Sequence, residues 1–164
     1  MDQIFLKPNK EIPNNAVLPV LVYPQVLPAD EDCSIGFEKH FRDNNWHGIW
    51  RDGVYDYHHF HSQAHEVLGV VQGKCRIQVG GMAGHTLLLE QGDMIVLPAG
   101  TGHKDAGSSD DLVVIGAYPP GQAMDICRSK KECPDAERKI AATPIPPTDP
   151  FYGHDGPLIR TWIK

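Results

Sequence analysis

Four of the chain's nine histidines fall between His58 and His65, a density that marks the first place to look for chemistry. Histidine is the commonest metal ligand and the usual proton shuttle near neutral pH. In His59-Phe60-His61 the side chains two apart on a strand face the same way, so both imidazoles point to one side and Phe60 to the other. The chain can turn through Ser62-Gln63-Ala64, after which Glu66 opens an apolar run and can meet the two imidazoles from a neighbouring strand. A fourth donor stands at His103, beyond Leu97-Pro98-Ala99-Gly100-Thr101-Gly102, whose glycines allow close backbone approach. Three imidazoles and one carboxylate suit Mn, Fe, Co, Ni, Cu or Zn, and a six-coordinate ion so held keeps two positions for water or substrate. His65 rivals Glu66 for the inward position after the turn. His58, of opposite parity to His59, is expected to face outward as a solvated or interface residue.

The same parity extends the site. Tyr55 and Tyr57 share the face of His59 and His61, and Asp105 shares that of His103. Tyr57 and Asp105 are therefore the acid–base candidates, with Tyr118 on the last strand as a further one. Leu68 and Val70 face inward with Glu66 and make the back of the cavity apolar, which favours a small substrate held against a metal.

The elements that must position these residues are short strands broken by turns. After Trp46, strand-like runs recur at 54–61, 67–72, 74–79, 86–89, 94–97 and 112–118, punctuated by Gly73, Gly80-Gly81, Gln91-Gly92-Asp93 and Gly100 to Gly102. This density indicates an all-β sandwich or barrel. Ahead of it, Val17 to Tyr23 lies among five prolines and reads as an extended edge strand or arm. Residues 34–45 read as a short helix capped by Ser34, and Gln122 to Lys139 as a second helical piece. The proline-rich tail is expected to pack as an arm over the barrel.

Composition narrows the function classes. A length of 164 residues with 41% apolar content is room for one ordinary domain with a core. Sixteen glycines and fourteen prolines favour many tight turns over a helical bundle. A net charge of −6 argues against nucleic acid as a partner. The longest apolar stretch, Ala16 to Tyr23, is too short to span a bilayer and is broken by Pro19. The N-terminus lacks a basic region followed by an apolar run, so a cytoplasmic location is expected. The four cysteines form no CxxC pair; free thiols are expected, although Cys127 and Cys133 lie close enough in sequence to bond.

Two motifs resemble the cupin superfamily. Gly53, His59, His61, Glu66 and Gly73 stand at the intervals of its first motif; Gly92, Pro98, Gly100 and His103 at those of its second, with Gly107 where an asparagine is usual. The stretch from His61 to Gly69 and the tail Thr148 to Leu158 resemble, more narrowly, the YjlB-like branch of single-domain bacterial cupins. The resemblance implies an all-β double-stranded β-helix, or jelly-roll barrel, with a few short helices and extended terminal arms. One domain would cover 1–164: barrel motifs at about 53–118, an N-terminal arm and short helix in 1–50, and a helix and proline-rich arm in 120–164. It implies one divalent transition metal per chain (Fe, Mn, Ni or Zn) held by His59, His61, Glu66 and His103. The motif spacing selects Glu66 over His65, which falls to an alternative or supporting role. A homodimer and a small-molecule ligand or substrate follow from the same resemblance. The function expected is a metalloenzyme acting on a small polar metabolite, by dioxygenase, isomerase or epimerase, or decarboxylase chemistry; the alternative is a non-catalytic metal- or ligand-binding module.

Overall fold

A computed structural model describes all 164 residues. The strands are β1 (Asp2–Ile4), β2 (Val20–Tyr23), β3 (His47–Asp52), β4 (Glu66–Gln72), β5 (Lys74–Val79), β6 (His85–Glu90), β7 (Met94–Leu97), β8 (His103–Ser108) and β9 (Val113–Tyr118). The helices are α1 (Cys33–Asp43), α2 (Ala136–Ala142) and α3 (Pro157–Trp162). Two antiparallel sheets form the jelly-roll barrel, one of six strands in the order β1-β2-β7-β4-β9-β3 and one of three in the order β6-β5-β8.

The central strands of the larger sheet, β2, β7, β4 and β9, are buried on both faces, and the sequence shows why. Along β4, Leu68 and Val70 point into the barrel and join Cys75, Ile77 and Val79 of β5. Val67 points the other way and joins Phe37, Phe41, Leu158 and Trp162 from the helices outside. Residues 66–70 are consequently all buried, and no polar alternation appears in them. Strand β5 is covered on one face only, so Cys75, Ile77 and Val79 are buried while Lys74 and Arg76 are exposed. Helix α1 lies close on the sheet because Gly69 has no side chain there: a Cβ would stand 2.8 Å from the Phe37 ring.

Several local expectations change. Helix α1 is capped by Asp32, whose carboxylate accepts from Ile35 N at 3.2 Å, and Ser34 instead accepts from Arg51 Nε at 2.7 Å. Strand β2 is internal, not an edge, because β1 pairs along its outer side and β7 along its inner one. Its prolines, Pro19 and Pro24, flank the ladder and remove no hydrogen bond from it. The expected strand at 54–61 reduces to isolated bridges at His59 and Phe60. The expected helix at 122–139 survives only as α2, since Cys127 and Cys133 form a disulfide and Pro134 follows it. Cys33 and Cys75 are free and buried, as read from the sequence.

The C-terminal arm is fastened by one carboxylate. Asp149 is fully buried and takes a hydrogen bond from Tyr23 Oη at 2.6 Å and from the backbone N–H of Phe151 (2.8 Å), Tyr152 (2.9 Å) and Leu158 (3.0 Å). Burial, then the charge and hydrogen bond of Asp149, push the Tyr23 phenol far above its ordinary pKa, so it stays a donor. Leu158 and Trp162 of α3 are thereby set into the outer core. Asp149→Ala would leave four donors without their acceptor, those of Tyr23 and Leu158 buried, and should lower the unfolding free energy by about 3 kcal/mol. Urea denaturation checks this; a loss under about 1 kcal/mol would mean the arm is held by its apolar contacts alone.

Candidate metal centre

The His59 segment is held between two strips of backbone. His59 and His103 exchange both N–H···O bonds, at 3.2 and 2.9 Å, which places their rings side by side with centroids 4.1 Å apart. On the other side Phe60 and Cys127 exchange bonds of 2.8 and 2.9 Å. Gly100 N donates to His61 O at 2.8 Å. Alternation survives in this short extended piece: Phe60 goes to a small core with Cys127, Ile12 and Ala136, while His59 and His61 turn to the cavity. Glu66, first residue of β4, enters from the adjacent strand.

His59, His61 and His103 are all buried, and one ring nitrogen from each lies within 4.8 Å of the others. The opposite nitrogens face backbone carbonyls. His59 Nδ1 is 3.2 Å from Tyr57 O, His61 Nδ1 is 2.5 Å from Asp125 O, and His103 Nδ1 is 2.9 Å from Thr101 O. A carbonyl only accepts, so each Nδ1 carries a proton and, in the neutral ring, Nε2 offers a lone pair. Glu66 Oε1 lies 3.2 Å from His61 Nε2 and 3.3 Å from His103 Nε2. Four lone pairs therefore converge with no donor among these four groups when the imidazoles are neutral, an arrangement that a cation between them would stabilise. That donor set, imidazole nitrogen with one carboxylate oxygen, fits a first-row divalent ion.

The electrostatics reflect the same crowding. Burial lowers the His59 pKa to about 3, with the neighbouring His103 adding to the effect. Burial also acts to lower the pKa of His61, but the charge and hydrogen bond of Glu66 outweigh it and the net shift is upward. Glu66 is fully buried, yet the two imidazoles beside it hold its carboxyl below the usual range.

The cavity has a volume of about 490 Å³, and His59, His61, His103 and Glu66 all line it. Tyr118 lines it as well, receiving a hydrogen bond from Trp50 Nε1 at 3.0 Å. Burial and then the charge of Glu66 raise the Tyr118 pKa, so its hydroxyl stays protonated beside the carboxylate. Two glycines permit this arrangement. A Cβ on Gly116 would stand 2.3 Å from the Trp50 indole, and Gly48, with φ of +67°, occupies an irregular stretch of the β3–β9 ladder between His47 and Trp50. Tyr55 stands in the lining, half-exposed.

Other expected residues lie elsewhere. Tyr57 is outside the lining, stacked on Tyr55 at 5.0 Å with Arg128 5.1 Å over its ring. Asp105 is also outside it; its carboxylate accepts from Gly107 N at 2.7 Å and lies near the Cys75 thiol. His58 is half-buried with both ring nitrogens shielded and unpartnered, not solvated. Sequence parity did not find Asp125, whose carbonyl orients His61 and whose carboxylate accepts from Ser62 N at 2.7 Å and from Ser62 Oγ. No local pattern links residues 64 apart; only the neighbouring disulfide pair hinted at structure there.

Among known proteins, the Cupin domain family matches residues 48–115. The chain is 36% identical over 161 residues to Uncharacterized protein YjlB of Bacillus subtilis (strain 168), across 98% of this chain and 95% of that protein. Two solved structures align with part of the chain. Acireductone dioxygenase from Bacillus anthracis, with cadmium ion in its active center, aligns at 18% identity and TM-score 0.44, over 65% of this chain and 82% of that one. A DUF861 family protein from Thermotoga maritima aligns at 20% identity and TM-score 0.35, over 60% and 96%. At such TM-scores neither likeness bears on what this chain binds or does.

His65 spends both ring nitrogens on backbone. Ala99 N donates to its Nδ1 at 2.9 Å, so Nε2 carries the proton and donates to Pro144 O at 3.1 Å. The ring is fully buried, 4.9 Å from that of Trp162. It ties the β7–β8 connection to the C-terminal arm and has no lone pair left for a metal. Burial lowers its pKa to about 4 from an ordinary 6.5. Between those values the unfolded chain binds the proton that the folded one refuses. Stability is therefore present above pH 6.5 and falls as the pH drops toward 4, by up to about 1.4 kcal/mol per pH unit for one group. His65→Gln should flatten the dependence of the urea midpoint on pH across that window. A slope equal to the parent's would assign the acid loss to other groups.

Proposed function

The chain belongs to the cupin superfamily, in its YjlB-like branch, and from that premise we propose that it is a metalloenzyme acting on a small metabolite within the barrel. The observation that carries this is the convergence of three imidazole nitrogens and one carboxylate oxygen with no proton donor between the neutral groups. His59, His61, His103 and Glu66 are the residues that would hold one divalent ion per chain, of iron, manganese, nickel or zinc. Such an ion supplies Lewis-acid polarisation of a chelated carbonyl or hydroxyl oxygen or, as iron(II), the capacity for oxygen chemistry.

The protein's own groups do the rest. The carbonyls of Tyr57, Asp125 and Thr101 fix each imidazole in one tautomer with Nε2 toward the cavity. Trp50 holds the Tyr118 hydroxyl at the cavity wall beside Glu66, and the one phenolic proton serves the carboxylate or, in its place, a bound oxygen. Leu68 makes the back apolar and keeps water from the reacting end. The cupin domain is proposed to occupy residues 1–164 as one unit, in a cytoplasmic homodimer; the larger sheet has β1 and β3 at its edges.

One observation favours a second reading, a non-catalytic metal- or ligand-binding module. Tyr57 and Asp105, the acid–base groups expected from strand parity, do not line the cavity, which leaves Tyr118 and Tyr55 as its non-ligating hydroxyls. Substrate turnover abolished by Tyr118→Phe with metal content intact would decide for the enzyme.

Elemental analysis of the purified protein should find about one first-row transition metal per chain. His61→Ala and His103→Ala should each weaken metal binding by more than the roughly 10–100-fold that loss of a supporting residue costs. No metal after expression in replete medium and no uptake on reconstitution would remove the centre. Sedimentation velocity should give a species of about twice the chain mass; a monomer at micromolar concentration would remove the dimer.

A further inference from the structure

The lining of the cavity restricts what can enter it beyond the metal-binding end. Arg51 is the only lysine or arginine among the lining residues, and its guanidinium is engaged outside the barrel. Its Nη2 lies 3.3 Å from Glu38 of α1, and its Nε donates to Ser34 at 2.7 Å. Arg128 is also spent elsewhere, over the Tyr57 ring. Apart from Glu66 at the metal-binding end, the other charged residue of the wall is Asp52, an acid, whose carboxylate accepts from Gly53 N at 2.7 Å. A second carboxylate or a phosphate on the ligand would therefore find no free cation, and would lie near the Asp52 carboxylate in a chain of net charge −6.

Apart from the Tyr55 and Tyr118 hydroxyls, the side chains of the remaining wall are apolar. Leu68, Trp50 and Val54 line the cavity continuously with the barrel core. At the mouth, Met124 is 41% exposed and Ile126 36%, both on the segment that carries Asp125 beside His61. Large apolar side chains at the mouth of a cavity gain from a ligand that covers them.

We infer that the cavity takes an amphiphilic chelator: a small molecule with one oxygen-chelating head, no second charged group, and an apolar body lying along Trp50, Leu68, Met124 and Ile126. Dicarboxylates and phosphorylated metabolites are excluded as ligands. This rests on the metal reading of the same site.

The test uses the full chain loaded with manganese, its metal content measured first, and three probes with one chelating head. Acetohydroxamate, hexanohydroxamate and the monohydroxamate of glutaric acid are titrated by calorimetry. Hexanohydroxamate should bind at least about tenfold more tightly than acetohydroxamate, since it adds four methylenes of buried chain. The glutaric probe should bind no more tightly than acetohydroxamate. Met124→Lys with Ile126→Lys should lower hexanohydroxamate affinity by at least about tenfold. Equal affinity for the two simple hydroxamates, preference for the glutaric probe, or no effect of the double substitution would each overturn the ligand class while leaving a metal-loaded protein. Failure to load manganese or any other first-row ion would overturn the metal reading, and this inference with it.

Discussion

Four electron pairs pointing at one another in a protein interior repel, and the surroundings of the histidine cluster are what keep them there. Each imidazole gives its Nδ1 proton to a backbone carbonyl, so the rings cannot rotate away without leaving a buried donor unsatisfied. Those carbonyls belong to Tyr57, Thr101 and Asp125, three separate stretches of chain, and each must be held in turn. The His59–His103 bridge holds two of them, and the Phe60–Cys127 bridge, next to the Cys127–Cys133 disulfide, holds the third. The site is thus a junction of three loops against one strand, fastened by backbone pairing.

The larger sheet gives that junction a rigid floor. Because β4 is covered inside by the barrel core and outside by α1 and α3, Glu66 begins a strand with no solvent face along which to slip. A register error of one residue would turn Glu66 outward and bury Val67 against the imidazoles. His65, immediately before it, is anchored to Ala99 and Pro144, so the turn into β4 is fixed from both sides. Asp149 secures the arm that supplies Pro144 and the outer helix α3. Elements far from the cavity therefore bear on its geometry through packing alone.

Much of this was legible in the chain. The period-two spacing of His59 and His61, the carboxylate opening an apolar run, and the glycine–proline turn before His103 are local patterns, and local backbone geometry expresses them directly. The alternation of Cys75, Ile77 and Val79 survives because only one face of β5 is covered. Parity misled at Tyr57, and depth along the strand at Asp105. Residues 54–58 form no ladder, so alternation counted back from His59 fails there; Asp105 keeps the parity of His103 and pairs with buried Ile77, but further along β8 it lies beside Cys75 and not in the cavity lining. Strand β2 read as an edge because its prolines are visible in the sequence, while its partner β1, three residues long, is not.

The sequence by itself determined the donor types, their spacing and the barrel class, because these follow from side-chain chemistry and from the period of a strand. Tertiary structure alone decided which nitrogen of each ring is free, that His65 is a clamp on the arm, and that Tyr118 joins Glu66 at the cavity wall. It also decided that Arg51 is drawn out to α1, leaving the cavity without a free lysine or arginine. Each of these depends on a hydrogen bond or ion pair between residues far apart in the chain, and a linear pattern carries no record of which distant partner satisfies a buried group.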